Sequence, residues 1–265
     1  MFRVSCIQLC SSDNVAYNLK RTTSLILKAI KQKTDFILTP EVSSKISLNK
    51  KKLLKSATSM DKDLYLKGIK ILAKEYKKWI LIGSLIIKLK NNKLVNRSIL
   101  ISPYGKIKCY YDKIHMYDAK LNSKEKYFES KLFKSGNRVK TTNLPWGKLG
   151  LSICYDLRFP HMYKKMSKLG VIFISVPSAF TETTGKKHWH TLLKARAIEN
   201  FSYVFAPGQG GKHCNGRKTY GHSLIVSPDG EILKELGKKE GVITTTINPD
   251  LVKKLRKNIP SVKYI

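Results

Sequence analysis

A chain of 265 residues, 42% hydrophobic and 26% charged with no low-complexity tract, is long and apolar enough to bury a sizeable core, which excludes a disordered or fibrous segment. The formal net charge of +33 points first to a polyanion partner, yet all but 8 of the 51 basic residues are lysine. Base and phosphate readers lean on arginine for its planar fork, and no nucleic-acid motif occurs, so the charge predicts weak adhesion at low salt and no specific nucleic-acid partner.

Residues 4–9 alternate and predict a first strand. Within residues 14–33, Leu19, Thr23, Ile26, Leu27 and Ile30 recur at helical spacing, with Asp13 or Asn14 as the cap. Phe36–Leu38 reads as a buried strand ending in Thr39, Pro40 and Glu41; the proline stops the ladder and leaves Glu41 at the strand's end. Residues 62–78 predict a second amphipathic helix. Residues 79–89 and 94–102 are strands joined by a turn at Asn91 and Asn92. Pro103, Tyr104 and Gly105 then turn the chain into a strand over residues 106–111, and Asp112, Lys113, Ile114 and His115 follow directly. Residues 116–139 read as irregular, with Glu129 inside.

Residues 145–160 form an elbow. Gly150, Leu151 and Ile153 bring in a short buried strand, Cys154 ends it, and Pro160 suits the first turn of a helix. A cysteine so placed exposes its sulfur at the sheet edge, with backbone N–H groups aimed at whatever it attacks. Taken alone, a cysteine is more often a small apolar filler. A helix over 162–169 and a strand over 170–176, ending in Pro177 and Ser178, come next. A polar loop over 181–187 leads to a helix over 188–200 and a strand over Tyr203–Ala206. A glycine-rich basic loop spans 208–219. Strands over 223–226 and Gly241–Ile247 and a helix over 251–257 complete the chain. Residues 97–107 resemble residues 222–232, and a proline ends strands at both Pro40 and Pro177. Two similar halves predict an α/β fold of two sheets packed face to face, in one domain over residues 1–265.

Cys6, Cys10, Cys109, Cys154 and Cys214 are odd in number and match no zinc or disulfide spacing, so a reducing compartment is expected. The longest apolar run, residues 79–87, is too short to span a bilayer, and the first residues alternate rather than forming a signal segment. A cytoplasmic protein with no membrane partner is the expectation.

Glu41, Lys113 and Cys154 thus fall at strand ends. A thiol at its free pKa needs a base or a nearby cation. A carboxylate can take its proton and hand it to a departing amine, and a lysine can stabilise a tetrahedral oxyanion. Each residue also has a plain reading: Glu41 as a solvated loop carboxylate, Lys113 as one lysine among many, and His115, His188, His190 or His222 as the partner of a Cys–His pair instead.

The sequence closely resembles the nitrilase superfamily of carbon–nitrogen hydrolases. The matches run through nearly the whole chain: Thr39-Pro40-Glu41, Asn96-Arg97-Ser98, Ser102 to Gly105, Tyr111 to His115, Glu129-Ser130 before Ser135-Gly136, and Cys154 to Pro160. The resemblance implies a pseudo-symmetric four-layer αββα sandwich. It implies Glu41 as general base and acid, Lys113 as oxyanion stabiliser, Cys154 as nucleophile, and Glu129 as a second glutamate that positions the lysine. Tyr155 would donate its backbone N–H to the oxyanion. Arg158 matches an arginine that binds a substrate carboxylate in related carbamoyl-acid hydrolases; an internal salt bridge with Asp156 or Glu199 is the alternative. No cofactor and no metal is implied. The expected partners are a small-molecule amide substrate and a second copy of the chain, as a homodimer or higher homo-oligomer.

Later motifs narrow the branch. Pro177-Ser178-Ala179-Phe180, Thr184-Gly185, His188-Trp189, Arg196 to Asn200 and Tyr220 to Ser223 look like the deaminated glutathione amidase group. Ser178 and His188 are implied at the substrate site, with His213 and Arg217 as candidates for a distal carboxylate. Hydrolysis would yield 2-oxoglutarate and cysteinylglycine. An ω-amidase acting on α-ketoglutaramate or α-ketosuccinamate, an N-carbamoyl amidase, and a non-catalytic polyanion binder on the same scaffold are the alternatives. Two departures stand out. Lys187 replaces a usual alanine in a loop expected to border the pocket, and the chain ends at Ile265, short of an arginine-rich tail often present.

Overall fold

The structure, a computed structural model, describes residues 1–264 apart from 48 and 124, so Ile265 lies outside the described residues. The first half comprises β1 (Phe2–Gln8), α1 (Val15–Lys31), β2 (Phe36–Leu38), α2 (Lys50–Ser56), α3 (Leu64–Glu75), β3 (Trp79–Lys88), β4 (Leu94–Ile101) and β5 (Ile107–Asp112). A small hairpin, β6 (Asp118–Lys120) and β7 (Lys126–Phe128), leads into the second half. That half holds β8 (Lys140–Leu144), β9 (Gly147–Leu151), α4 (Pro160–Lys168), β10 (Phe173–Ser175), α5 (Glu182–Asn200) and β11 (Tyr203–Ala206). It continues through the hairpin β12 (Gly210–Lys212) and β13 (Lys218–Tyr220), then β14 (Leu224–Val226), β15 (Ile232–Glu235), β16 (Gly241–Ile247) and α6 (Asp250–Asn258).

Among the described residues the strands make two six-stranded sheets, ordered β16-β1-β2-β3-β4-β5 and β15-β14-β11-β10-β9-β8. Each half contributes three parallel strands, β1-β2-β3 and β9-β10-β11. Two antiparallel strands then extend each sheet, β4-β5 and β14-β15. The repeated sequence at 97–107 and 222–232 falls on the two equivalent hairpins. β16 leaves the second half and closes the first sheet antiparallel to β1, with Phe2 opposite Ile247 and Gln8 opposite Gly241.

Strand periodicity sorts the core into layers. Phe36 and Leu38 of β2 face the second sheet and join a core with Leu149, Phe173 and Phe205, where Phe36 meets Phe205 edge to face at 6.3 Å. Ile37 between them faces outward, with Ile7 and Ile80, onto Ile26 of α1 and Ile69 of α3. With α4 and α5 on the second sheet, this is the αββα sandwich of the nitrilase type. No helix among the described residues is long and apolar enough to cross a membrane.

Three local expectations are corrected. α5 starts at Glu182, so residues 181–187 are no loop: Thr181 caps the helix, its side chain accepting from Thr184 N, and Lys187 is exposed on the helix surface. Gly185 hid this turn from a propensity reading; a Cβ there would lie 2.3 Å from the Tyr220 ring, so close packing demands glycine. Residues 208–219 contain the β12–β13 hairpin, and residues 116–139 contain β6 and β7.

Candidate active site

Three strand ends converge. Glu41 follows β2, Lys113 follows β5 and Cys154 follows β9, drawing the site from both sheets. Cys154 sits at φ 48°, in the left-handed region that side-chain-bearing residues rarely adopt. Its N–H donates to Pro177 O at 3.0 Å, and a 3-10 helix over Cys154–Arg158 begins there. Asp156, fully buried, holds this elbow: Oδ2 accepts from Ile153 N at 2.9 Å and from Tyr111 OH at 2.7 Å. Its Oδ1 accepts from His115 N at 3.0 Å and meets His115 Nδ1 at 2.7 Å. The nucleophile's turn is thereby tied to β5 and the segment carrying Lys113.

Glu41 Oε1 accepts from Lys113 Nζ and Asn96 Nδ2, each at 2.9 Å, and Oε2 accepts from Ala179 N at 2.8 Å. The Cys154 thiol lies on the same cavity wall as this carboxylate, close enough to feel its charge. Lys113 Nζ also donates to Glu129 Oε2 at 2.8 Å, and that oxygen accepts from Tyr117 N at 2.8 Å. The ammonium is thus fixed between two carboxylates, both rigidly held. Gly83 of β3 lets the ends of β2 and β10 close over it: a Cβ there would lie 2.0 Å from Thr39 O and 2.4 Å from Pro177 Cβ.

The charges follow from this geometry. Burial alone would raise the Glu41 pKa, but Lys113 outweighs it and holds the carboxyl below its ordinary range. Burial likewise works against the Lys113 ammonium, while Glu129 and Glu41 push its pKa well above the usual value. The Cys154 thiol is pushed up, first by burial and then by the Glu41 charge. The resting site is a neutral thiol beside an ionised carboxylate and an ammonium. A base and a thiol facing one cavity, with a cation beside them, suit acyl transfer.

These groups line a narrow cavity whose wall includes Glu129, Tyr155, Arg158, Phe180 and Arg217. Tyr117, Glu129 and Arg217 also border a larger groove that reaches Lys45 and Lys126, so the approach is cationic. Tyr155 lies in the first turn of the 3-10 helix, where amide N–H groups lack intrahelical acceptors. Arg158 makes neither proposed salt bridge. Asp156 is taken by Tyr111 and His115, and Glu199 by Arg196 Nη1 at 3.0 Å. The guanidinium instead lies 5.4 Å from the Phe180 ring centroid, on the cavity wall.

Two expected residues fall outside the wall. The Ser178 hydroxyl is buried and donates to Val176 O at 3.1 Å, because strand pairing to Gly208 turns it inward. His188 stands behind Arg158, its Nδ1 3.2 Å from Nη2. His213 is also set back: it bonds Ser11 O and Thr219 Oγ1, and burial lowers its pKa to about 4. The histidines weighed for a Cys–His pair are engaged elsewhere, His115 with Asp156, His188 with Arg158, and His190 and His222 with Glu235. The Ala179 N–H, Tyr117 and the Asp156 clamp had no signal in spacing; only the fold brings them to the site.

The carbon–nitrogen hydrolase family profile matches residues 3–257. A Synechocystis protein called deaminated glutathione amidase is 35% identical over 99% of this chain and 97% of its own length. A Dictyostelium discoideum protein of the same name is 36% identical, covering 97% of this chain and 91% of its own. The crystal structure of Saccharomyces cerevisiae Nit3, a member of the nitrilase superfamily, superposes with a TM-score of 0.88 at 27% identity, over 98% of this chain and 94% of that one. The yeast protein is called an omega-amidase. With a profile and relatives that match it nearly end to end, the chain belongs to the carbon–nitrogen hydrolase family of amide-hydrolysing enzymes.

Proposed function

We propose that the chain is a thiol amidase acting on a small carboxylate-bearing amide, with Cys154 as nucleophile. The reading is carried by the Cys154 thiol sharing one cavity wall with a carboxylate that itself holds the Lys113 ammonium. The sulfur attacks the amide carbon while its proton passes to Glu41. Lys113 and the Tyr155 N–H stabilise the oxyanion, and Glu129 holds Lys113 in place. Glu41 then protonates the departing amine, leaving a thioester on Cys154. Water enters, gives a proton to Glu41 and attacks the thioester; Glu41 returns that proton to the departing sulfur, the carboxylic acid leaves and the thiol is restored.

The preferred substrate in this reading is deaminated glutathione, cleaved to 2-oxoglutarate and cysteinylglycine. Support comes from the relatives of that name and from a cationic approach, with Arg158, Arg217, Lys126 and Lys45 suited to a substrate bearing several carboxylates. The narrow inner cavity and the likeness to Nit3 favour a second reading, an ω-amidase acting on α-ketoglutaramate. Comparing kcat/KM for the two substrates separates them. Deaminated glutathione should give the higher value, with a burst of one amine per site; equal or reversed preference transfers the assignment to the ω-amidase.

In the same reading residues 1–265 act as one domain, and the five unpaired cysteines suit a reducing cytoplasm. A homodimer is supported by Leu169, Ile198, Ile259 and Tyr264, all exposed near α4, α5 and the 3-10 turn Pro260–Tyr264 that packs on them. Light scattering should report twice the 30.2 kDa chain mass; a monomer at micromolar concentration would refute it.

A further inference from the structure

Away from the catalytic cavity, three ligand-type side chains meet on the second sheet. His190 projects from α5, His222 lies two residues before β14, and Glu235 ends β15. Glu235 Oε1 lies 2.9 Å from His190 Nε2 and 2.7 Å from His222 Nδ1. The three ligand atoms all fall within 4.8 Å of one another, and none of the three residues lines the catalytic cavity. We propose that His190, His222 and Glu235 bind one divalent transition-metal ion of the zinc class, clamping α5 to the β14–β15 hairpin.

The donor set fits. Two imidazole nitrogens and a carboxylate oxygen suit zinc and its neighbours, and three protein ligands leave a position for water. Ligand atoms at about 2.0–2.2 Å from a tetrahedral ion sit roughly 3.3–3.6 Å apart. The two carboxylate–imidazole separations of 2.9 and 2.7 Å need to open by about 0.4–0.9 Å to reach that spacing, within the reach of side-chain rotation.

The ligands are also held in advance. His222 adopts φ 50°, its carbonyl accepts from Trp189 Nε1 at 2.8 Å, and its ring stacks on Tyr220 at 4.3 Å. Trp189 adjoins His190 on α5, so the helix that supplies one ligand also anchors the backbone of the other. The three side chains are 32%, 23% and 31% exposed, which leaves an ion a path from solvent. Binding requires the lone pairs of His190 Nε2 and His222 Nδ1, so each ring carries its proton on the other nitrogen in the metal-bound state.

The clamp has a structural consequence near the chemistry. The first turn of α5 carries Thr181 and Thr184 on the catalytic cavity wall, and the metal would fasten the same helix beyond them.

Cobalt(II) titration of the full-length chain tests the site. One equivalent should produce visible d–d absorption without a thiolate charge-transfer band, and zinc should displace it. Zinc at a hundredfold excess over its Kd should raise Tm by roughly 5 °C. His190→Ala and Glu235→Gln should each remove the absorption and the zinc shift, and their metal-free Tm values report whether they fold. A Cys10→Ser/Cys214→Ser variant should keep both signals. Absence of a one-equivalent signal in the unmodified chain, its survival in His190→Ala and Glu235→Gln, or its loss in the double serine variant would overturn the proposal.

Discussion

A Cys154→Ala variant is expected to lose at least about 10⁴-fold in kcat/KM, the scale seen when a covalent nucleophile is removed. No thioester can form, so the burst of released amine disappears as well. The fold should survive. The Glu41 carboxylate is held by Lys113, Asn96 and the Ala179 N–H, none of which the substitution touches. The left-handed backbone at φ 48° penalises alanine about as much as cysteine. Steady-state assays with a thermal melt by circular dichroism check both halves. Full turnover in a folded Cys154→Ala protein would remove the nucleophile from the scheme.

Lys113→Ala should damage stability and catalysis together. It leaves Glu41 and Glu129 facing each other without the cation that both now bond, and breaking a buried ion pair this way costs about 3–5 kcal/mol. For a chain of this size that lowers Tm by roughly 10 °C. The pH dependence has a defined sign. In the native protein the Glu41 pKa is depressed, so its contribution to stability is present above the unfolded value and is lost as pH falls through the folded one. Without Lys113, burial dominates and the pKa rises instead. The variant is then least stable at neutral pH, and its Tm deficit shrinks on acidification, the reverse of the native trend. Turnover falls too, because the oxyanion loses its cation. Melting curves from pH 5 to 8 test the stability claim; an unchanged Tm with no pH trend would show that the cation is not structural.

Much of this was legible before the fold. Strand ends marked by Pro40 and Pro177, the Cys154–Pro160 elbow and the repeated hairpin sequence pointed to paired sheets, and the spacing left Glu41, Lys113 and Cys154 at strand ends. What stayed hidden depends on tertiary contact. α2 is short and rich in lysine, with Leu53 as its buried anchor, so no periodicity develops. The first turn of α5 reads as a polar loop until Tyr220 is seen against Gly185. Ser178 carries a motif position, yet strand pairing decides where its hydroxyl points. Asp156 looked like a partner for Arg158. Its actual role joins the elbow to Tyr111 and His115 across 41–45 positions of sequence, which no local pattern reports.

The crossing of β16 into the first sheet bears on how the protein is made. Phe2–Gln8 leaves the ribosome well before its antiparallel neighbour Gly241–Ile247, which lies far downstream in the chain. Until then β1 is an unpaired edge, with Val4 and Cys6 available to other nascent chains. Co-translational assembly of the first sheet therefore stays incomplete, and growing polysomes carry the exposure that chaperones exist to shield.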